Sequence, residues 1–279
     1  MLEAVKSRVG RLVDRDPRAS LLVYRLLVRC PWLLPHDRSY LGIRLLEGCF
    51  QRAGRLAAKP PASRLILDVG ANNGISSRSF LKLLPGWKVV AIEPNSLHAA
   101  GLQRLEKQFH GRFEFIIAAA GTASRPPGNS RQTLYTPIWK GVALHTVTST
   151  QRDAALRTAA EVWRLKEAEI RMVETEAPTI ALDELVIDPL IIKIDAEGSE
   201  GEILKGAQET LKRCRPIVLM EVTAQGAGNA VDLLGGLGFQ PLLFDDRNGS
   251  LTSRSPTQVE NVTGCRNRYF VPRELVEFL

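Results

Sequence analysis

Leu65-Ile-Leu-Asp-Val-Gly-Ala-Asn-Asn-Gly74 runs from an apolar stretch into a glycine turn, after which Ser76 to Leu84 take up helical spacing. A short run that is largely apolar on both faces is what a strand inside a parallel sheet requires, because helices cover it above and below. The same signature recurs at Lys88 to Ile92, Phe113 to Ala118, Leu190 to Ile194, Ile217 to Val222 and Phe239 to Phe244. Further helix candidates lie at Leu97 to Gln108, Ser199 to Lys212 and Ala227 to Leu237. Strands alternating with helices imply an α/β fold with a doubly wound, mostly parallel sheet. The last strand candidate, Arg268 to Val271, follows a long loop and is expected to enter antiparallel at the edge.

The glycine turn narrows the chemistry. Gly70 lets the chain turn sharply and lets a ligand approach the backbone, and Gly74 permits close packing where the helix begins. A dinucleotide fold places G-x-G-x-x-G here so that a pyrophosphate can sit on the helix amino end. This chain has Gly70-x-x-x-Gly74 instead, with Asp68 beside it. A carboxylate in that crevice repels a pyrophosphate and complements a sulfonium or an ammonium. The second strand ends in Glu93-Pro94. Glu93 falls roughly 20 positions beyond the glycine turn, where nucleoside-binding folds use an acidic residue to accept both ribose hydroxyls.

A third constellation, Ile191-Ile-Lys-Ile-Asp-Ala-Glu-Gly-Ser-Glu200, brings Asp195 and Glu197 to the carboxyl end of another buried strand. Either could act as a base or as a metal ligand; Glu200 reads as a partner of the helix dipole. A divalent metal is therefore open, and no ligand set is assigned. The stretch from Thr122 to Leu185 breaks the strand–helix alternation: short strands at Thr133 to Tyr135 and Val142 to Thr148, a helix over Thr150 to Ala168, then extended chain from Arg171 to Ala181. Such an insertion above the sheet edge is expected to meet an acceptor. His145 lies within it as a candidate base matched to neutral pH, against the plainer reading of a packed or surface histidine. Trp139 and Tyr135 could stack on a sugar face or belong to the core.

Taken in order, Asp68-Val-Gly-Ala-Asn-Asn-Gly74, Glu93-Pro94, Thr179-x-x-Leu-Asp-Glu-Leu185, Ile192-Lys-Ile-Asp-Ala-Glu-Gly-Ser-Glu200, Leu204-Lys-Gly-Ala207, Pro216 through Glu221 and Asn267-Arg-Tyr-Phe-Val-Pro272 resemble the FkbM-like family of S-adenosylmethionine-dependent methyltransferases. The resemblance spans about residues 64 to 273. It implies a Rossmann-like methyltransferase fold, S-adenosylmethionine as donor, and a hydroxyl acceptor on a sugar or polyketide-type product. By matching position it implies that Asp68, Gly70, Asn72, Gly74 and Glu93 contact the donor and that Asp195 and Glu197 line the reaction centre. The charged helix between Thr150 and Ala168 departs from the family pattern, which leaves the acceptor open.

Residues 1–58 read as a helical N-terminal extension and 59–279 as the methyltransferase domain, with Val9, Leu12, Val13, Leu22, Leu26, Leu41 and Leu45 on recurring faces. A cap on the main sheet is the plain reading of these helices, and contact with a membrane surface or a partner is the sharper one. The formal charge of +7 is spread out, with no dense basic run carrying interleaved aromatics, so no nucleic-acid partner is expected. Cys30, Cys49, Cys214 and Cys265 stand far apart and suggest neither a zinc site nor a disulfide framework. Leu21 to Leu34 is too short to span a bilayer and is interrupted by Arg25, Arg29 and Pro31, so a cytoplasmic protein is expected. Two rivals stand beside the methyltransferase: a nicotinamide-dependent oxidoreductase on a similar sheet, and a non-catalytic donor-binding scaffold. The sequence does not set the oligomeric state.

Overall fold

The computed structural model describes residues 38–56, 63–122, 130–196, 198–222, 227–245, 248–253 and 267–279. In chain order the elements are α1 (Ile43–Arg52), β1 (Leu65–Val69), α2 (Ile75–Leu83), β2 (Lys88–Ile92), α3 (Ala99–Gln108), β3 (Phe113–Ile116), β4 (Ala119–Ala120), β5 (Arg131–Trp139), β6 (Val142–Ala143), α4 (Arg152–Trp163), β7 (Ile170–Ile180), β8 (Ile191–Ile194), α5 (Glu200–Lys205), α6 (Gln208–Cys214), β9 (Ile217–Glu221), α7 (Ala227–Gly236), β10 (Phe239–Asp245), β11 (Ser250–Ser253), β12 (Asn267–Pro272) and α8 (Arg273–Val276). The described chain divides into two compact units. One comprises Pro35–Gln132 with Ala177–Leu279, the other Thr133–Glu176.

The larger unit is built on an eight-stranded sheet in the order β11-β10-β12-β9-β8-β1-β2-β3. The run from β9 through β8, β1 and β2 to β3 is parallel. β12 lies antiparallel between β9 and β10, and β11 pairs antiparallel with β10 to form one edge. The sheet thus has an antiparallel edge strand, but that strand is β11. The closing segment, expected at the edge, instead sits one place inside β10. Its six residues are all buried, which suits an interior strand and not an edge.

Alternate residues of each central strand serve opposite faces. Ile66, Val89, Ile191, Leu219 and Tyr269 join a core with Ile43, Leu46 and Phe50 of α1, Phe80 of α2, Leu102 of α3 and Leu275 of α8. Leu67, Ile192, Val218 and Phe270 join another with Ile203 of α5, Leu211 of α6 and Leu234 of α7. This two-sided cover is the reason the strands read as apolar runs. The helix expected over Ser199 to Lys212 is two helices. At the break, a Cβ on Gly206 would stand 1.9 Å from the carbonyl oxygen of Gly121, so the chain turns where its backbone meets a neighbouring backbone.

The described part of the N-terminal extension is a cap on the sheet. α1 buries Ile43, Leu46, Cys49 and Phe50, while Leu41 and Leu45 are only partly covered. The turn before it is tied to β12: Asn267 Nδ2 donates to Ser39 Oγ at 3.0 Å, and the Tyr269 hydroxyl to the Ser39 carbonyl at 2.5 Å. Residues 1–37, which carry the membrane reading, and Cys30 and Cys265 lie outside the described residues. Among those described, no helix is long and apolar enough to cross a membrane.

In the smaller unit β5 and β7 lie side by side, and β6 folds back on β5 with Ile138 opposite Ala143 and Trp139 opposite Val142. Lys140 and Gly141 make that two-residue turn, both at positive φ (47° and 79°), the geometry that matches strand twist in tight hairpins. Trp139, Leu144, Val147 and Ala159 form a small core, and Trp139 Nε1 donates to Glu169 Oε2 at 3.1 Å. Trp139 is a packing residue, while Tyr135 is half-buried and pairs its backbone with Ser149.

Candidate active site

The sheet register puts three functional segments at one level. Val69 pairs with Ile92 on one side and with Ile194 on the other, so Gly70, Glu93 and Asp195 leave the carboxyl edge of three adjacent strands together. Adjacent strands are about 4.8 Å apart, so Glu93 and Asp195 flank the glycine turn at a separation of roughly 10 Å. This edge is where open parallel sheets bind their ligands.

The turn is held in a conformation that few residues accept. Gly70, Asn72 and Gly74 all have positive φ, at 74°, 52° and 82°. Asparagine tolerates this region because its short side chain can bond locally; Asn72 Oδ1 accepts the Asn73 N–H at 2.8 Å. A Cβ on Gly74 would meet Leu105 Cδ2 at 2.8 Å, so that glycine lets α2 begin tightly against α3. A Cβ on Gly70 would meet the carbonyl oxygen of Asp195 at 1.8 Å. The neighbour that forbids a side chain at Gly70 is therefore the β8 loop.

Glu93 is only 6% exposed. Its Oε2 accepts the Asn72 N–H at 2.7 Å and its Oε1 the Asn95 N–H at 2.8 Å. Burial raises its pKa to about 7, against the pull of the Asn95 and Asn72 N–H groups and the charge of Lys193. Each oxygen keeps a second lone pair for a ligand hydroxyl.

Asp68 lies beneath the turn, away from solvent. It is 0% exposed, and Oδ2 accepts the hydroxyls of Ser76 (2.7 Å) and Ser77 (2.5 Å) on the first turn of α2. Its Oδ1 faces Lys193 Nζ at 3.2 Å. A carboxylate sealed in this way anchors the turn from beneath.

Lys193 is the residue that sequence reasoning missed. The signal was present, a lysine inside the apolar run Ile191-Ile-Lys-Ile194. Its buried ammonium donates to the Gly70 carbonyl at 2.8 Å and lies 3.6 Å from Asp195 Oδ2. Burial opposes its charge, but the carboxylates of Asp68 and Asp195 outweigh that cost and hold its pKa above the ordinary lysine value.

The Asp195 side chain is 36% exposed, open at the sheet edge. Glu200 is buried and bends back, its Oε1 accepting the Ala196 and Gly198 N–H groups, both at 3.2 Å. It fastens the loop that carries Glu197, a residue that itself lies outside those described. Asp183 caps α6, accepting the Thr210 N–H at 2.7 Å and the Glu209 N–H at 3.1 Å.

His145 belongs to the smaller unit and sits in a 3-10 turn, not a strand. Burial depresses its pKa to about 4, so the imidazole is neutral at pH 7 and a far weaker base than an unperturbed histidine. Among the described residues no group of three or more His, Cys, Asp or Glu side chains could hold a metal ion. A cavity of about 460 Å³ lies at the other end of the sheet, lined by Leu65 and Lys88 at the starts of β1 and β2, and plays no part in this site.

The family model for the methyltransferase FkbM domain matches residues 68–241, well over half of the chain. Among solved structures, the chain is similar to methyltransferase FkbM from Methylobacillus flagellatus KT, at 16% identity and a TM-score of 0.44 over 90% of this chain and 60% of that one. It is also similar to an O-methyltransferase from Bacillus cereus in complex with SAH (13%, TM-score 0.42, 97% and 98%) and to precorrin-6y C5,15-methyltransferase from Geobacter metallireducens GS-15 (15%, TM-score 0.37, 75% and 77%). The chain thus spans 60% of the length of the Methylobacillus protein. No curated protein matches it.

Proposed function

Because the chain belongs to the FkbM-domain methyltransferases, a family dependent on S-adenosylmethionine, we propose that it methylates a hydroxyl group of a sugar, glycolipid, polysaccharide or polyketide-type product. The observation that carries this reading is the common level of Gly70, Glu93 and Asp195 on adjacent strand ends, fixed by the pairing of Val69 with Ile92 and Ile194.

The residues present fit a nucleoside donor. Glu93 offers two oxygens at the end of β2 for ribose hydroxyls, and the Gly70–Gly74 turn presents backbone without side-chain bulk at Gly70. S-adenosylmethionine supplies, when bound, an electrophilic methyl group on a positively charged sulfur. Asp195 stands at the same level with an exposed carboxylate to orient an acceptor hydroxyl. In the transfer the hydroxyl oxygen bonds to the methyl carbon, the carbon–sulfur pair returns to sulfur, and the hydroxyl proton passes to a carboxylate, for which Asp195 is the described candidate.

The test is transfer of label from methyl-labelled S-adenosylmethionine to polysaccharide, glycolipid and secondary-metabolite extracts. Label in base-stable methyl ethers is the expected result. Label confined to esters or to N-methyl groups would overturn the hydroxyl acceptor.

A further inference from the structure

The charges beneath the glycine turn do not cancel in number. One ammonium, Lys193 Nζ, lies 3.2 Å from Asp68 Oδ1 and 3.6 Å from Asp195 Oδ2. Asp68 and Lys193 are both sealed from solvent, where an uncompensated charge is costly, so these two must compensate each other. The hydroxyls of Ser76 and Ser77 donate to Asp68 Oδ2, and Lys193 donates to the carbonyl of Gly70. Of the two carboxylates that Lys193 faces, the unsealed one is Asp195, which is 36% exposed and opens at the sheet edge level with Glu93.

We propose that Asp195, and not Asp68, reads the positive charge of the donor sulfonium, and that Lys193 serves to neutralise Asp68. This rests on the donor reading above. The consequence is selectivity between donor and product. Both carry the same nucleoside and the same amino-acid group, but only the donor carries charge on sulfur. A carboxylate within about 6 Å of that sulfur, at the moderate screening of a half-exposed site, favours the charged form about tenfold. Methyl transfer removes the charge, and with it the attraction that retains the ligand.

The experiment is isothermal titration of S-adenosylmethionine and S-adenosylhomocysteine into wild type, Asp195→Asn, Asp195→Glu and the double variant Asp68→Asn with Lys193→Met. Asp195→Asn should lower the ratio of donor to product affinity about tenfold while product affinity changes less than about threefold. Asp195→Glu should keep the ratio within about threefold of wild type, because the charge remains. The double variant removes one charge of each sign from the buried pair and should also retain the preference. Equal weakening of both ligands by Asp195→Asn, or loss of the preference in the double variant with Asp195 intact, would overturn the assignment to Asp195. Failure of wild type to bind either ligand would instead overturn the donor reading itself.

Discussion

Gly70 and Asp195 touch backbone to backbone: a methyl group built on Gly70 would stand 1.8 Å from the Asp195 carbonyl oxygen and 2.8 Å from its carbonyl carbon. Neither neighbour is a side-chain end that can swing away, and Gly70 also sits at φ 74°. Gly70→Ala should therefore cost more than about 4 kcal/mol or prevent folding. Gly111→Ala is the control, at φ 73° but with nothing within 4 Å, and should cost about 1 to 2 kcal/mol from backbone strain alone. Urea unfolding of the two variants makes the comparison; similar costs would mean that the contact with Asp195 is unimportant.

Glu93 gives the structure a definite pH signature. Its folded pKa is raised from 4.5 to about 7, chiefly by burial, so between those values the folded state holds a proton that the unfolded chain has released. The contribution to stability is present in full below the unfolded pKa and is lost as pH rises through the folded one. The stability of wild type relative to Glu93→Gln should fall by up to roughly 3 kcal/mol between pH 5 and pH 8. Denaturant melts at the two pH values read this difference directly, and a constant difference would show that Glu93 titrates normally.

The same carboxylate links donor binding to pH with the opposite sense. Two ribose hydroxyls need an acceptor, so the ionised form is the binding form, and product affinity should rise roughly tenfold from pH 6 to pH 8. Glu93→Ala should weaken binding by about 1 to 3 kcal/mol and flatten that rise. A pH profile that survives the substitution would place its origin in another group.

Asp183 separates structural from functional members of the family pattern. Its two oxygens accept the Glu209 and Thr210 N–H groups at the start of α6. Asp183→Ala should cost about 0.5 to 2 kcal/mol of stability, the usual value of a helix cap, and leave product affinity unchanged. Thermal unfolding and titration on the same sample test both halves.

The strands were legible because apolar runs under two helical layers have one reading: β1 and β2 fall where the spacing of Leu65–Val69 and Lys88–Ile92 predicts them. Position within the sheet was less so, since nothing in Asn267–Pro272 says whether β10 lies outside it. Asp68 shows the limit at the site. Its place beside a glycine turn suggested a ligand, but whether a carboxylate faces a crevice or a buried lysine depends on pairing between β1 and β8, more than a hundred residues apart in the chain. The carboxylate that faces solvent at this edge, and would repel a pyrophosphate there, is Asp195. His145 shows the same limit, because burial in a separate small unit sets its protonation and the residue type alone does not.

The central claim is that the carboxyl edge at Gly70, Glu93 and Asp195 holds the nucleoside of S-adenosylmethionine. Isothermal titration of S-adenosylhomocysteine into the wild-type protein tests it most directly. Saturable one-to-one binding in the micromolar range, weakened by Glu93→Ala, is the predicted result. No heat with that ligand, together with saturable binding of a nicotinamide dinucleotide, would contradict it.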